Sequence, residues 1–319
     1  MANQKYFLGC ERSRLTSSFT YLIRNSLVSL LEAKHIPYTF DINEEGITEA
    51  ILPCGGDAFA FAAVLKKKHI PMNVLALEGE SDIALQLFRK DPTLTLSFDA
   101  VNAYKKAKCL WIHFPSQEDF LRRAGIKTPV KTIPLTPSFA PEKEMTGVEK
   151  RAFRCYYGLQ ENKEIVFSYG NFSFKQDVEV FQTIAQNLPE KVFFFFGHGE
   201  KEAMKQKTLE SITRPGNIFF VPVLREELYR SALASCSRLL LIGDHLSYPQ
   251  LLVDCIHKGI PITSYKLKGF PELINEETSD FCETFAPLFH SLNGPVDEKK
   301  VARAKEVALT YEKKDLSLA

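Results

Sequence analysis

The sequence contains no run of about 20 apolar residues, so it offers no candidate membrane-spanning helix. Its start, MANQKYFLGCERSR, has neither the apolar core nor the small-residue cleavage site of a signal peptide, which makes the cytoplasm the expected location. Charge of one sign is not in excess. Lys plus Arg number 40 against 39 Asp plus Glu, a formal net charge of +1, so no global field argues for nucleic acid or an anionic membrane as a partner. Seven cysteines (Cys10, Cys54, Cys109, Cys155, Cys236, Cys255 and Cys282) are scattered without a CxxC pair, and they read as reduced thiols filling core space rather than a disulfide framework or a structural zinc site. GxSxG, GxxxxGK[ST] and HExxH are absent, so serine hydrolase, P-loop and zincin readings lack their parts. There is no repeat and no low-complexity tract.

What remains is an ordinary globular composition, 45% hydrophobic and 25% charged over 319 residues, enough chain for two cores. Short β-rich runs alternate with helical segments throughout, which predicts an α/β fold of parallel sheets covered on both faces. The first series has strands at KYFLG, PYTFDI, EAILPC, MNVLALE, CLWIHF and VKTIPL, with helices over about 15–33, 58–67, 83–88 and 117–124. The stretch TPSFAPEKEMTGVEK, Thr136 to Lys150, has two prolines and little apolar periodicity, and is the expected linker. A second series follows, with strands EIVFSYG, KVFFFFG, NIFFVPV, RLLLIGD and PITSY and helices over about 178–186, 201–212, 226–234 and 249–257. The expected organisation is a first domain over 1–138, a second over 139–300, and a C-terminal helix and tail over 301–319. In such sheets ligands collect outside the carboxyl ends of the strands, and two facing domains leave a cleft.

One stretch, SYPQLLVDCIHKGIP at 247–261, has unusually clear local grammar. Ser247 with Gln250 three residues on is a capping box, Pro249 suits a first turn, and Gly259 before Pro261 stops the helix. Leu251, Leu252, Cys255 and Ile256 make one apolar stripe, with Asp254 on its flank. The helix tip favours a phosphate, and Asp254 lies roughly 10 Å along the axis from the cap. The pair has the spacing of two nucleotide contacts. A half-exposed acid on an amphipathic helix is the other reading.

The second half resembles the nucleotide-sugar-binding half of the family 4 retaining glycosyltransferases, enzymes of two facing Rossmann-like domains in the arrangement called GT-B. The similar pieces run in order: AKCLWIHFPSQEDFLRRAGI and VKTIPL ahead of the linker, then IVFSYGNFSFKQDVEVFQTIAQ, VFFFFGHGE, NIFFVPVLREELYRSALASCSRLLLIGD, SYPQLLVDCIHKGIPITSYKLKGFPELI and ARAKEVALTYEKKDLS. The family's hallmark is a pair of glutamates eight residues apart, the second five residues before a helix-ending glycine. That second position is Asp254, and the resemblance implies that it accepts hydrogen bonds from the nucleotide ribose, chemistry open to any ionised carboxylate. The first falls on Leu246. The family also has an Arg and a Lys after the first strand of this domain, which neutralise the departing diphosphate. In GNFSFKQ, opened by Gly170, the lysine is Lys175 and Asn171 replaces the arginine. A family histidine of the first domain aligns with Glu78.

The resemblance implies a glycosyltransferase that moves a sugar from a nucleotide-diphosphate donor to a carbohydrate, protein or lipid acceptor with retention. Lys175 is its expected catalytic cation. Ser247 and Tyr248 at the helix cap, Asp254, Gly170 and Gly269 are the expected donor contacts, with Arg12 and Arg14 as replacements for the missing arginine or else a solvated basic turn. In KLKGFPELI, Lys268, Gly269, Phe270 and Glu272 match a family loop near the sugar and phosphates. No metal is required where protein cations do that work, and Asp244 with His245 lack a third ligand at sensible spacing. Gly55-Gly56 permits close backbone approach or simply turns the chain; His198 is read as part of a tight turn, and His113 with Trp111 as filling or rimming a sheet. Leu246 and Asn171 favour a second reading, a non-catalytic GT-B protein partnering an active transferase. A nucleotide- or sugar-phosphate-binding α/β protein of another family is the third.

Overall fold

The computed structural model describes residues 5–9, 20–53, 56–76, 102–123, 125–138, 145–172, 175–198, 216–221, 224–242, 249–265 and 270–313. In the first half the elements run β1 (Tyr6–Leu8), α1 (Thr20–Ala33), β2 (Tyr38–Thr39), β3 (Glu49–Pro53), α2 (Gly56–Lys67), β4 (Met72–Leu75), α3 (102–106), β5 (Cys109–Ile112), α4 (Pro115–Arg123) and β6 (Val130–Thr132). In the second they run α5 (Gly147–Tyr156), β7 (Ile165–Asn171), α6 (Lys175–Gln186), β8 (Val192–His198), β9 (Ile218–Val221), α7 (Glu226–Ser235), β10 (Arg238–Ile242), α8 (Pro249–Lys258), β11 (Ile262–Tyr265), β12 (Asp280–Cys282), α9 (Phe285–Asn293) and α10 (Glu298–Glu312). The strands form two six-stranded parallel sheets, β2-β1-β3-β4-β5-β6 and β12-β11-β10-β7-β8-β9.

Strand β8 shows why the second sheet is buried on both faces. Alternate side chains of a strand point to opposite faces. Phe194 and Phe196 enter a core with Phe153 and Phe167, whereas Phe193 and Phe195 enter another with Phe172 and Phe181. Phe194 stacks on Phe219 at 4.7 Å, and Phe181 meets Phe195 edge-on at 5.1 Å, contacts worth about 0.5–1.5 kcal/mol each beyond the buried area. Gly197, paired with Gly170 in the β7–β8 register, leaves the room this needs, because a Cβ there would lie 2.8 Å from the Phe172 ring.

The two halves share a core. Tyr21 and Leu22 of α1, Phe114 after β5 and Leu135 after β6 are buried in the same cluster as Tyr229, Leu252, Ile256 and Phe270. Helix α10 returns to the first half, where the Tyr311 carbonyl accepts from the Leu135 N–H at 3.3 Å and its ring lies 5.0 Å from Phe114.

Three expectations change. The expected linker stops earlier, since Thr146 and Glu149 form a reciprocal capping box that starts α5 at Gly147. Strand β12 and helices α3 and α9 were not anticipated, and the terminal helix begins at Glu298 with Asp297 as its cap. The helices expected over 83–88 and 201–212 lie outside the described residues. Among the described residues no helix is long and apolar enough to cross a membrane.

Candidate functional site

The second sheet, read from its far edge, is ordered 3-2-1-4-5-6 in its own strand sequence, and the order reverses between β7 and β10. A crevice opens at such a switch, where helices leave neighbouring strands toward opposite faces. Helix α6 leaves β7 and α8 follows β10, so the N-termini of both flank it. Lys175 is the first residue of α6. Its exposed side chain lies 3.3 Å from the Glu179 carboxylate one turn on. Gly170 precedes it near the end of β7, where a Cβ would come within 3.1 Å of the Phe195 ring and would crowd the sheet's own packing unless that ring shifted by a few tenths of an ångström. Ser247, Tyr248, Gly269, Arg12 and Arg14 lie outside the described residues, as do Leu246, Glu78, Asp244, His245, Lys268 and Gly55.

The carboxyl ends of strands from the two sheets meet beside this crevice. His113, which follows β5, is buried with its Nε2 3.5 Å from the Gln250 amide nitrogen at the start of α8. The Gln250 amide nitrogen is thereby turned toward the seam, and its Oε1 has no hydrogen-bond partner among the described residues; the capping box expected with Ser247 falls on a residue outside them. Gln117 of α4 fixes the loop from below, accepting from the His113 and Phe114 N–H groups at 2.8 and 2.9 Å and donating to the Ala76 carbonyl after β4 at 2.8 Å. His113 and Trp111 are both 2% exposed, which agrees with their reading as fillers of the sheet.

From the second half, Glu272 accepts from the Ser116 N–H at 2.7 Å and the Ser116 hydroxyl at 2.8 Å. It thereby satisfies a free donor in the first turn of α4 and places a negative charge at the helix end that favours one. Phe270, two residues earlier, has the left-handed φ of 51° and its ring 5.5 Å from Phe114. That conformation is uncommon away from glycine, and the aromatic contact supports it.

Asp254 is only 5% exposed. Its Oδ1 accepts from the Ser138 N–H at 2.8 Å and its Oδ2 from the Tyr229 hydroxyl at 2.7 Å, and the Tyr229 ring packs edge-on to Tyr21 of α1 at 5.8 Å. Burial raises its carboxyl from 3.8 to about 6 against the opposing pull of the Ser138 and Tyr229 donors and of His257. The structure thus places Asp254 in the seam that ties α8 to α7 and to the chain after β6, rather than on a half-exposed helix flank. Its two described partners belong to the protein. Sequence reasoning missed Tyr229, Ser138 and Ser116, for which no local pattern exists. Among the described residues no three His, Cys, Asp or Glu side chains converge as metal ligands.

No protein-family model and no curated protein sequence matches the chain. Solved structures do. Anabaena HepE, in a complex with UDP and glucose, superposes with a TM-score of 0.63 at 13% identity, over 97% of this chain and 95% of that one. WaaG, a glycosyltransferase involved in lipopolysaccharide biosynthesis, gives 0.54 at 15% identity over 98% and 96%. The sucrose-phosphate synthase of Thermosynechococcus elongatus gives 0.55 at 13% identity over 89% and 73%. The fold of the chain is GT-B.

Proposed function

We propose that the chain is a glycosyltransferase that takes a sugar from a nucleotide-diphosphate donor, bound where the carboxyl ends of the two sheets meet. The observation that carries this reading is the juxtaposition of the β7–β10 switch point with the first sheet's carboxyl edge, through His113 with Gln250 and Ser116 with Glu272. Structures of the same fold support it, HepE having been solved with UDP and glucose.

In this reading the nucleotide lies over the switch point. The Ser247–Tyr248 cap of α8 holds a phosphate through its free amides, and the Lys175 ammonium moves from Glu179 to the diphosphate as negative charge develops on it. Gly170 and Gly269 let the backbone approach, and Arg12 and Arg14 reach the diphosphate from the first half. Asp254 acts by holding Ser138 and Tyr229, which keeps the wall of the crevice in place. Transfer proceeds with retention, as the resemblance to family 4 implies, and protein cations take the place of a metal.

Thermal stabilisation by a panel of nucleoside diphosphates, followed by release of free nucleotide from their sugars, tests this. Binding with turnover that falls about 100-fold or more in Lys175→Ala supports the enzyme. Binding without turnover supports the second reading, a non-catalytic partner of an active transferase, which Leu246 and Asn171 favour. Absence of stabilisation by any nucleoside diphosphate contradicts the donor site, and is compatible only with a partner that keeps the shape without the nucleotide.

A further inference from the structure

The near-zero net charge conceals a local segregation at the amino-terminal edge of the first sheet, the edge opposite the crevice. Lys66 and Lys67 end α2, Lys105 and Lys106 end α3, and Lys127 lies in the turn that leads into β6. All five are exposed, and none makes an ion pair or side-chain hydrogen bond with another described residue. Hydrogen bonds bring their segments together: the Lys108 N–H donates to the Met72 carbonyl at 2.8 Å, the Leu110 N–H to the Pro129 carbonyl at 2.8 Å, and the Thr128 hydroxyl to the Tyr104 carbonyl at 2.7 Å. Two described acids of this edge are already engaged, Glu49 by Lys108 and the Asn73 amide and Glu44 by Lys5, while Glu45 beside them is exposed, so the five lysines outnumber the free acid.

Two local explanations fall short. Lysines at helix C-termini complement the helix dipole, but Lys127 is in a turn, and α6, α7 and α10 end without a basic residue in their last turn. A generally basic scaffold is excluded by the second sheet, whose amino edge carries paired charges of both signs: Arg151 with Glu161, Lys191 with Glu164, and Arg238 and Lys300 with Asp280.

We propose that this edge, through Lys66, Lys67, Lys105, Lys106 and Lys127, docks the protein on an anionic lipid surface, with the crevice facing away from it. The chemistry favours lipid headgroups over a nucleic acid. The five cations without a described partner are all lysines, point charges suited to a diffuse layer of negative charge, and not the planar guanidinium that reads phosphates or bases bidentately. Val64, 38% exposed and one turn ahead of Lys67 on α2, adds an apolar side chain beside the charges. The inference does not depend on the proposed donor or reaction.

Flotation of the full chain with phosphatidylcholine vesicles, with and without about one-third phosphatidylglycerol, tests it. The expected result is binding to the anionic vesicles alone, released at about 0.5 M salt. Each lysine is worth roughly fivefold at such a surface, so the five-site variant K66Q/K67Q/K105Q/K106Q/K127Q should lose at least about 100-fold. An equal charge change in the second half, K150Q/K258Q/K299Q/K305Q/K313Q, should leave binding within a few-fold, and circular dichroism should show both variants folded. No binding to anionic vesicles at low salt, equal loss in both variants, or retention of duplex DNA or an acidic protein in place of vesicles overturns the proposal.

Discussion

Glu272 of the second half accepts hydrogen bonds from both the backbone N–H and the hydroxyl of Ser116 in the first half, so the loop after β11 caps a helix that belongs to the other sheet. Replacing a cap typically costs about 0.5–2 kcal/mol. Glu272→Ala should therefore lower stability by that amount and raise hydrogen exchange in the first turn of α4. Unchanged exchange in α4 would show that the cap does not hold in solution.

Asp254 gives a pH signature. Its carboxyl stands at about 6 in the folded protein, above its ordinary value of 3.8, because burial penalises the charge. Between those values the folded chain keeps a proton that the unfolded chain has released. Stability therefore falls as pH rises from about 4 to 6, by roughly 3 kcal/mol in all. Asp254→Asn keeps an acceptor for Ser138 and removes the titration. Denaturant unfolding at pH 4 and pH 7 should show the variant gaining on the natural protein by about that amount. A constant difference across the range would contradict it.

How far the sequence revealed this arrangement depends on the reach of each interaction. Continuous apolar runs such as VFFFFG and RLLLIG identify buried parallel strands locally, and both were anticipated. Thr146 and Glu149 carry an equally local capping-box signal, but the prolines and mixed charge around them read as linker. Strand β12 is three residues long, and α9 carries Pro287 in its first turn, so neither has a full period to read. The seam was out of reach. Asp254 finds Tyr229 at a separation of 25 residues and Ser138 at 116, and Glu272 finds Ser116 at 156. Helical spacing placed Asp254 on the edge of a stripe, but whether that edge meets solvent or a second sheet is decided by chain from the other half.

Gly197 and Phe172 test the packing of β8. A Cβ at Gly197 would lie 2.8 Å from a ring that is itself fully buried against Phe195 and Phe220 and cannot swing away. Gly197→Ala should cost about 1–3 kcal/mol through overpacking. Combined with Phe172→Leu it should cost less than the sum of the two single changes, a coupling that urea unfolding of the double-mutant cycle would detect. Strict additivity would place the strain elsewhere.

The central claim is that a nucleotide-diphosphate donor lies at the carboxyl ends of the second sheet, over the β7–β10 switch point. Hydrogen exchange with and without a saturating nucleoside diphosphate tests this most directly. The account predicts slowed exchange in peptides spanning the end of β7 with the start of α6, and the connection from β10 into α8, with none at the amino edge of either sheet. Protection confined to the amino edges, or no protection despite measured binding, would contradict it.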